Sequence, residues 1–184
     1  MNRLSGGELR GRVLRAPVPE GVRPTGGRVR EALFSLVGQD LRGLSWLDLT
    51  GGYGLVALEA WSRGARPVVV VEREAKVAAV IRRHMTELAA PLDLRIGDAH
   101  RVPLPPADWV FADPPYAQVE DPAGAARWVD RARSLARRWA VLEGPAGAPW
   151  PADGLDDRRV YGDTELVFYP GQAPMTQDAP AASA

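Results

Sequence analysis

Trp46-Leu47-Asp48-Leu49-Thr50-Gly51-Gly52-Tyr53-Gly54 joins an apolar run to a glycine-rich one. A short apolar run reads as a buried strand, and the glycines behind it read as a tight turn opening a helix that runs through about Ser62 to Arg63-Gly64. Downstream, Val68-Val69-Val70-Val71 is β-branched throughout and ends in Glu72, which suits a parallel strand covered on both faces. The pattern continues with a helix from Glu74 to Leu88, strands at Leu92 to Ile96 and Trp109 to Ala112, a helix from Ala125 to Arg138 and a strand at Trp139 to Leu142. Arg158 to Tyr161 and Glu165 to Tyr169 then read as an antiparallel hairpin. Upstream, Val29, Leu33, Leu36 and Val37 share one side of a helix over Arg28 to Val37, with Gly38 as its stop. Arg3-Leu4-Ser5 against Arg12-Val13-Leu14, around Gly6-Gly7, forms a small predicted hairpin. Strands alternating with helices imply an α/β, Rossmann-like, doubly wound and mostly parallel sheet.

At 184 residues, with 46% hydrophobic and 25% charged residues, the chain has the composition of one ordinary globular domain. We expect it over residues 1–170, with residues 1–24 as a basic hairpin extension and the Pro/Ala-rich residues 171–184 as a disordered tail. The chain has no cysteine, which excludes zinc ribbons, iron–sulfur clusters and every mechanism in which a thiolate attacks the substrate. No run of about 18 apolar residues is present and the first residues lack a secretory apolar stretch, so a cytoplasmic protein without membrane association is expected. His84 and His100 stand apart from any acid cluster, so no metal is expected either.

The formal net charge of zero is a sum of opposite regions. Residues 1–30 carry seven arginines (Arg3, Arg10, Arg12, Arg15, Arg23, Arg28, Arg30) against Glu8 and Glu20. Arg127, Arg131, Arg133, Arg137 and Arg138 form a second cluster, and the chain from Pro151 onward is acidic. A basic stripe of this kind can hold phosphates. It is equally compatible with a solvated arginine face.

Three strand ends carry polar chemistry. Thr50 and the glycines Gly52 and Gly54 follow the first strand, and would let backbone approach a ligand where open α/β sheets bind nucleotides. No Gly-Lys-Ser/Thr follows, so this is not a phosphate loop. Glu72 ends the second strand 20 residues after Gly52, where a carboxylate can accept both ribose hydroxyl protons of a nucleoside. After the third strand, Gly97-Asp98-Ala99 offers an acceptor for an adenine amino group. Each feature alone has an ordinary structural explanation; together they describe an adenosine pocket. Such a pocket serves NAD or S-adenosylmethionine. Ala57 in place of the dinucleotide fingerprint's third glycine, Asp48 just before the loop, and the fourth strand end favour the latter.

That fourth end is Trp109-Val110-Phe111-Ala112-Asp113-Pro114-Pro115-Tyr116. Two prolines fix φ and remove two donors, leaving the Asp113 carboxylate and the Pro114 carbonyl as rigid acceptors. Acceptors are what an exocyclic NH₂ group requires. Its lone pair is delocalised into the base, and two acceptors holding its protons can pull the nitrogen toward a tetrahedral shape and aim that lone pair at a sulfonium methyl. Tyr116 offers a ring for stacking on the base, worth roughly 1–3 kcal/mol.

These residues resemble the bacterial methyltransferases that act on the guanine N2 amine of small-subunit (16S) ribosomal RNA. The likeness spans about residues 3 to 169: Gly11-Arg12, Arg23-Pro24-Thr25, Arg28-Val29-Arg30-Glu31-Ala32-Leu33-Phe34, Leu58-Glu59-Ala60, Ser62-Arg63-Gly64-Ala65, Asp113-Pro114-Pro115-Tyr116 and Tyr161-Gly162-Asp163-Thr164. The resemblance implies the seven-stranded methyltransferase fold, S-adenosylmethionine as donor and a nucleic-acid amine as acceptor. Asp48, Thr50, Gly52, Gly54, Glu72, Asp98 and Ala99 would then hold the donor. Arg10, Arg12, Arg23, Thr25, Arg28 and Arg30 would face 16S rRNA or the small-subunit particle. Two departures stand out: a bulky Tyr53 occupies the loop position where the family usually has serine, which would weaken cofactor binding, and Gly27 replaces an acid before Arg28. A DNA enzyme methylating cytosine N4 or adenine N6 is the alternative on the same chemistry, and a catalytically silent nucleic-acid-binding module is a third reading.

Overall fold

The computed structural model describes residues 2–21 and 25–175. Helix α1 (Gly27–Val37) leads into β1 (Trp46–Asp48), α2 (Leu55–Ser62), β2 (Val68–Glu72), α3 (Ala75–Glu87), β3 (Asp93–Ile96) and β4 (Ala107–Ala112). A short 3-10 turn at Tyr116–Gln118 precedes α4 (Pro122–Leu135), β5 (Ala136–Pro145), β6 (Asp157–Tyr161) and β7 (Thr164–Pro170). The seven strands form one sheet in the order β3-β2-β1-β4-β5-β7-β6. Pairings are parallel from β3 through β5, and β7 runs antiparallel between β5 and β6. This is the expected architecture.

Strand alternation sorts the core into two layers. Trp46, Val68, Val70, Phe111 and Val141 face α1, α2 and α3, where Phe34 packs on Trp46 at 5.5 Å between ring centroids. Leu47, Val69, Val71, Val110 and Leu142 face α4 through Trp128, Val129 and Ala132. With both faces covered, the middles of the central strands are apolar, and charged residues stand near strand ends, such as Asp48 and Glu72 at the carboxyl edge and Asp108 at the amino end of β4.

Several element boundaries differ from expectation: β4 begins at Ala107, and β5 runs Ala136–Pro145, past the expected Trp139 to Leu142 at both ends. Helix α4 starts at Pro122 and stops at Leu135, so Arg137 and Arg138 lie in β5 instead of the helix. Its start carries a legible signal. Asp121 Oδ1 accepts from the amides of Ala123 (2.9 Å) and Gly124 (3.0 Å), with proline in the first turn, an N-cap worth about 1 kcal/mol. Its end does not, because the chain passes from Leu135 straight into β5 with no glycine or proline between. The amino-terminal hairpin reduces to one antiparallel bridge, Arg3 to Val13, flanked by Leu4 N to Arg12 O at 2.9 Å and Leu14 N to Asn2 O at 2.8 Å. It lies docked on α2: Glu8 N donates to Ser62 O (2.7 Å), and the Ser62 hydroxyl donates to Gly6 O (2.7 Å). Residues 176–184 of the expected disordered tail lie outside the described residues.

Candidate active site

The carboxyl ends of β1, β2, β3 and β4 open into a cleft of about 1050 Å³. Asp48, Thr50, Gly52, Glu72, Asp98, Ala99 and the whole of Asp113 to Tyr116 line it, so the residues singled out at four separate strand ends meet in one place. Gly54 stands beside them as the left-handed residue (φ 83°) that opens α2.

The glycine loop is tight for a packing reason. A Cβ on Gly51 would meet Val70 Cγ2 and Ile81 Cδ1 at 2.8 Å and the Val71 carbonyl at 3.0 Å. Gly52 takes φ 51°, and its amide donates to Glu72 Oε2 at 2.8 Å. Glu72 Oε1 accepts from Glu74 N at 2.8 Å. A carboxylate has about four lone-pair sites, so these two backbone bonds orient Glu72 and leave acceptor capacity on both oxygens.

Asp48 is fully buried, with Oδ1 accepting from Thr50 N at 3.0 Å. Burial foremost pushes its carboxyl up to about 7, outweighing that bond, and the negative charges of Asp113 and Glu72 push the same way. Three mutually repelling carboxyl groups around one cleft favour a cationic ligand. The Thr50 hydroxyl accepts from Asp113 N at 2.6 Å, so the glycine loop also fixes the entry into the Asp-Pro-Pro-Tyr turn. Pro114 is buried and Pro115 exposed. Asp98 Oδ1 accepts from His100 N at 2.9 Å, which leads the causes holding its carboxyl below the usual range.

Tyr53 belongs both to the lining of the cleft and to the core. Its ring is buried edge-on against His84, 4.6 Å between centroids, and its hydroxyl donates to the carbonyls of Ala16 and, at 3.4 Å, Leu14. The ring is thus packed among core residues at 2% exposure. His84 is part of the same arrangement, with Nδ1 3.2 Å from Tyr53 O.

The basic residues divide. Thr25 lines the cleft, and Arg10, Arg12 and Arg28 are exposed. Arg23 lies outside the described residues. Arg30, expected to face nucleic acid, does not: its side chain is 3% exposed, pairs with the wholly buried Glu59 at 2.5 Å and donates to Arg3 O at 2.6 Å. Arg63 completes the triad on Glu59 at 2.7 Å. The second cluster is largely structural. Arg131 donates to the carbonyls of Ala99 and Val102, both at 2.9 Å, clamping the loop that carries Asp98, and Arg138 pairs with Asp108 at 3.3 Å. Arg127 alone of that cluster lines the cleft.

Sequence reading missed the far wall. The Tyr116 hydroxyl lies 3.2 Å from Thr164 Oγ1, so the turn before β7 braces the candidate stacking ring. Tyr161 and Asp163 line the cleft beside it, as does Glu143 of β5. Tyr161-Gly162-Asp163-Thr164 is a visible motif, but nothing local shows that it reaches Tyr116.

A seven-stranded sheet of this order, with a glycine loop after β1, an acid closing β2 and Asp-Pro-Pro-Tyr closing β4, is the Rossmann-like methyltransferase architecture. It superposes on a solved structure described as "Putative methyltransferase yhhF from Escherichia coli" with TM-score 0.74 and 28% identity, covering 94% of this chain and 98% of that one. The chain belongs to the family described as Conserved hypothetical protein 95, whose model matches residues 2–169. It is 33% identical over 119 residues to the "Ribosomal RNA small subunit methyltransferase D" of Escherichia coli K12, a match covering 62% of this chain and 60% of that protein. The namesake from Haemophilus influenzae is 34% identical over 122 residues, covering 62% of this chain and 63% of that protein. The chain thus spans about three fifths of the curated relatives it matches. The fold is also shared with an RNA methyltransferase from Salinibacter ruber in complex with S-adenosyl-L-homocysteine, at 16% identity and TM-score 0.64, over 86% of this chain and 100% of that one.

Proposed function

We propose that the protein transfers a methyl group from S-adenosylmethionine to the exocyclic N2 amine of a guanine in 16S ribosomal RNA, presented as free RNA or in the small-subunit particle. The observation that carries this reading is the convergence of Asp113-Pro114-Pro115-Tyr116 with Glu72 and the glycine loop in one cleft. The names of the ribosomal RNA methyltransferase relatives support the choice of acceptor.

The residues fit the donor. Glu72 keeps acceptor capacity for ribose hydroxyls, Asp98 and Ala99 stand at the next strand end for the adenine, and the carboxyl groups of Asp48, Glu72 and Asp113 suit a cation. The donor supplies an electrophilic methyl on a positive sulfur. The chain supplies position, which carries much of the rate of an in-line displacement. Asp113 and the Pro114 carbonyl accept the amine protons, and Tyr116, braced by Thr164, stacks on the base. The new N–C bond forms as the C–S bond breaks, and one amine proton leaves to Asp113 or to water. Arg10, Arg12 and Arg28 meet phosphates. A cytoplasmic location follows from that acceptor, and no helix among the described residues is long and apolar enough to cross a membrane.

The test is transfer of labelled methyl to purified 16S rRNA, small subunits and duplex DNA in parallel, with nucleoside analysis. N2-methylguanine in the ribosomal samples alone is expected. N4-methylcytosine or N6-methyladenine in DNA would overturn the acceptor, and absence of both transfer and cofactor binding would make the protein a silent binder. Asp113→Ala should abolish transfer and leave cofactor affinity nearly unchanged; lost cofactor binding would overturn the role given to Asp113.

A further inference from the structure

Glu143 is a buried acid near the carboxyl end of β5. It is 5% exposed and yet lines the cleft. Its place in the sheet is set by register: β4 and β5 run parallel with Phe111 level with Val141 and Ala112 level with Leu142, so the next positions along the two strands are Asp113 and Glu143. Adjacent strands are about 4.8 Å apart. Alternation puts Asp113 on the side of Phe111 and Glu143 on the side of Val141, and both of those face the α1–α3 layer. The register thus sets the two acids level with each other where β4 and β5 reach the cleft, whose lining also includes Tyr116 and Thr164. Since β5 lies beyond β4 from the glycine loop, Glu143 is on the acceptor half of the cleft.

A second acid beside Asp113 matters because the three base amines differ in the ring atom next to them. In guanine the neighbouring ring nitrogen carries a proton, so N1–H and the N2 amine form an uninterrupted row of donors. In adenine and cytosine the corresponding ring nitrogen is an acceptor, whose lone pair a carboxylate repels. We infer that Glu143 is a specificity-determining residue that accepts the guanine N1–H while Asp113 and the Pro114 carbonyl hold the N2 amine. This inference rests on the proposed guanine reading and sharpens it. One acid would serve any base amine; two in a row select guanine, partly by rejecting the alternatives.

The experiment uses the full chain and assembled small subunits. The methylated guanine is first mapped in the wild-type product, and subunits are then rebuilt from ligated RNA carrying guanine or 2-aminopurine at that position. 2-Aminopurine keeps the N2 amine but presents an acceptor at N1. Wild type should prefer guanine, and isosteric Glu143→Gln, whose amide can donate to N1, should narrow that preference in kcat/KM by at least about 10-fold, on the scale of a mismatched buried hydrogen bond. S-adenosylmethionine affinity and the melting temperature of Glu143→Gln serve as controls, since a purely structural role would move those and leave the ratio alone. N2-methylguanine formation with an unchanged ratio in Glu143→Gln would overturn the role of Glu143 and leave the proposed function standing. A product other than N2-methylguanine would overturn both.

Discussion

Asp48→Asn gives the sharpest reading of the cleft's electrostatics. The folded protein holds a proton on Asp48 up to about pH 7, whereas an exposed aspartate releases it near 3.8. Between those values the native state binds more protons than the unfolded chain, so this group's contribution to stability falls as pH rises from about 4 to about 7 and is constant above. Roughly three pKa units at 1.36 kcal/mol each give about 4 kcal/mol for a group with no exposure to solvent. Asparagine keeps the oxygen that accepts from Thr50 N and carries no charge at any pH. Urea unfolding followed by tryptophan fluorescence should therefore give near-equal stabilities for the two proteins at pH 4. The variant should gain progressively, reaching several kcal/mol by pH 8. A difference that stays flat across that range would refute the assignment of a raised carboxyl to Asp48. The same proton reports on the ligand: a sulfonium cation near Asp48, Glu72 and Asp113 favours the ionised form, so binding S-adenosylmethionine at pH 7 should release about half a proton. Calorimetry in two buffers of different ionisation enthalpy reads that number. S-adenosylhomocysteine, without the sulfonium charge, should release less.

Tyr53→Ser, which restores the residue usual in the family, should lower stability by about 3 kcal/mol in thermal melts, since it empties a buried ring site, while cofactor affinity by calorimetry stays little changed. Arg30→Ala should cost about 3–5 kcal/mol by leaving buried Glu59 with Arg63 as its remaining arginine partner. Arg28→Ala should shift stability by no more than about 0.5 kcal/mol, and instead reduce the slope of log RNA affinity against log salt by about one. Glu72→Ala should weaken cofactor binding about 10- to 100-fold, the scale of a lost charged hydrogen bond, and an unchanged dissociation constant would refute its role.

The sheet was legible because its signals are local: β-branched runs, glycine turns, and an acid or a proline pair at strand ends. The site was legible for the same reason, since a parallel sheet delivers its strand ends to one edge whatever lies between them. Arg30 was misplaced because its charge was weighed and its phase was not. It follows Val29 and precedes Leu33 and Phe34 by helical spacing, on the face that α1 buries. That Glu143 and Thr164 reach the cleft is non-local: only the sheet order and the return of β7 bring β5 and the start of β7 to it, with Thr164 beside Tyr116. Tyr53 was judged by position in a motif, and a backbone turn does not fix which way a side chain leaves it.

Arg30, Glu59 and Tyr53 belong to one mechanical arrangement. Glu59 on α2 holds Arg30 of α1 and Arg63 just past α2, and accepts from Ser5 of the amino-terminal segment at its backbone amide (3.3 Å). Arg30 in turn donates to Arg3 O, and the Tyr53 hydroxyl to Ala16 O. The segment bearing Arg10 and Arg12 is thus tied at both ends, by the Glu59 triad at its start and by the glycine loop's own tyrosine at its close. It cannot swing as a flexible basic arm without breaking the hydrogen bonds from Ser5 N to Glu59 and from Arg30 to Arg3 O, or the one from Tyr53 to Ala16 O. Hydrogen bonds to charged groups such as Glu59 and Arg30 contribute about 1.5–3 kcal/mol each, which keeps the segment docked. The exposed arginines of this segment are therefore held at a fixed distance from the cleft, so the surface that would grip RNA and the loop that would grip the donor keep one relative geometry.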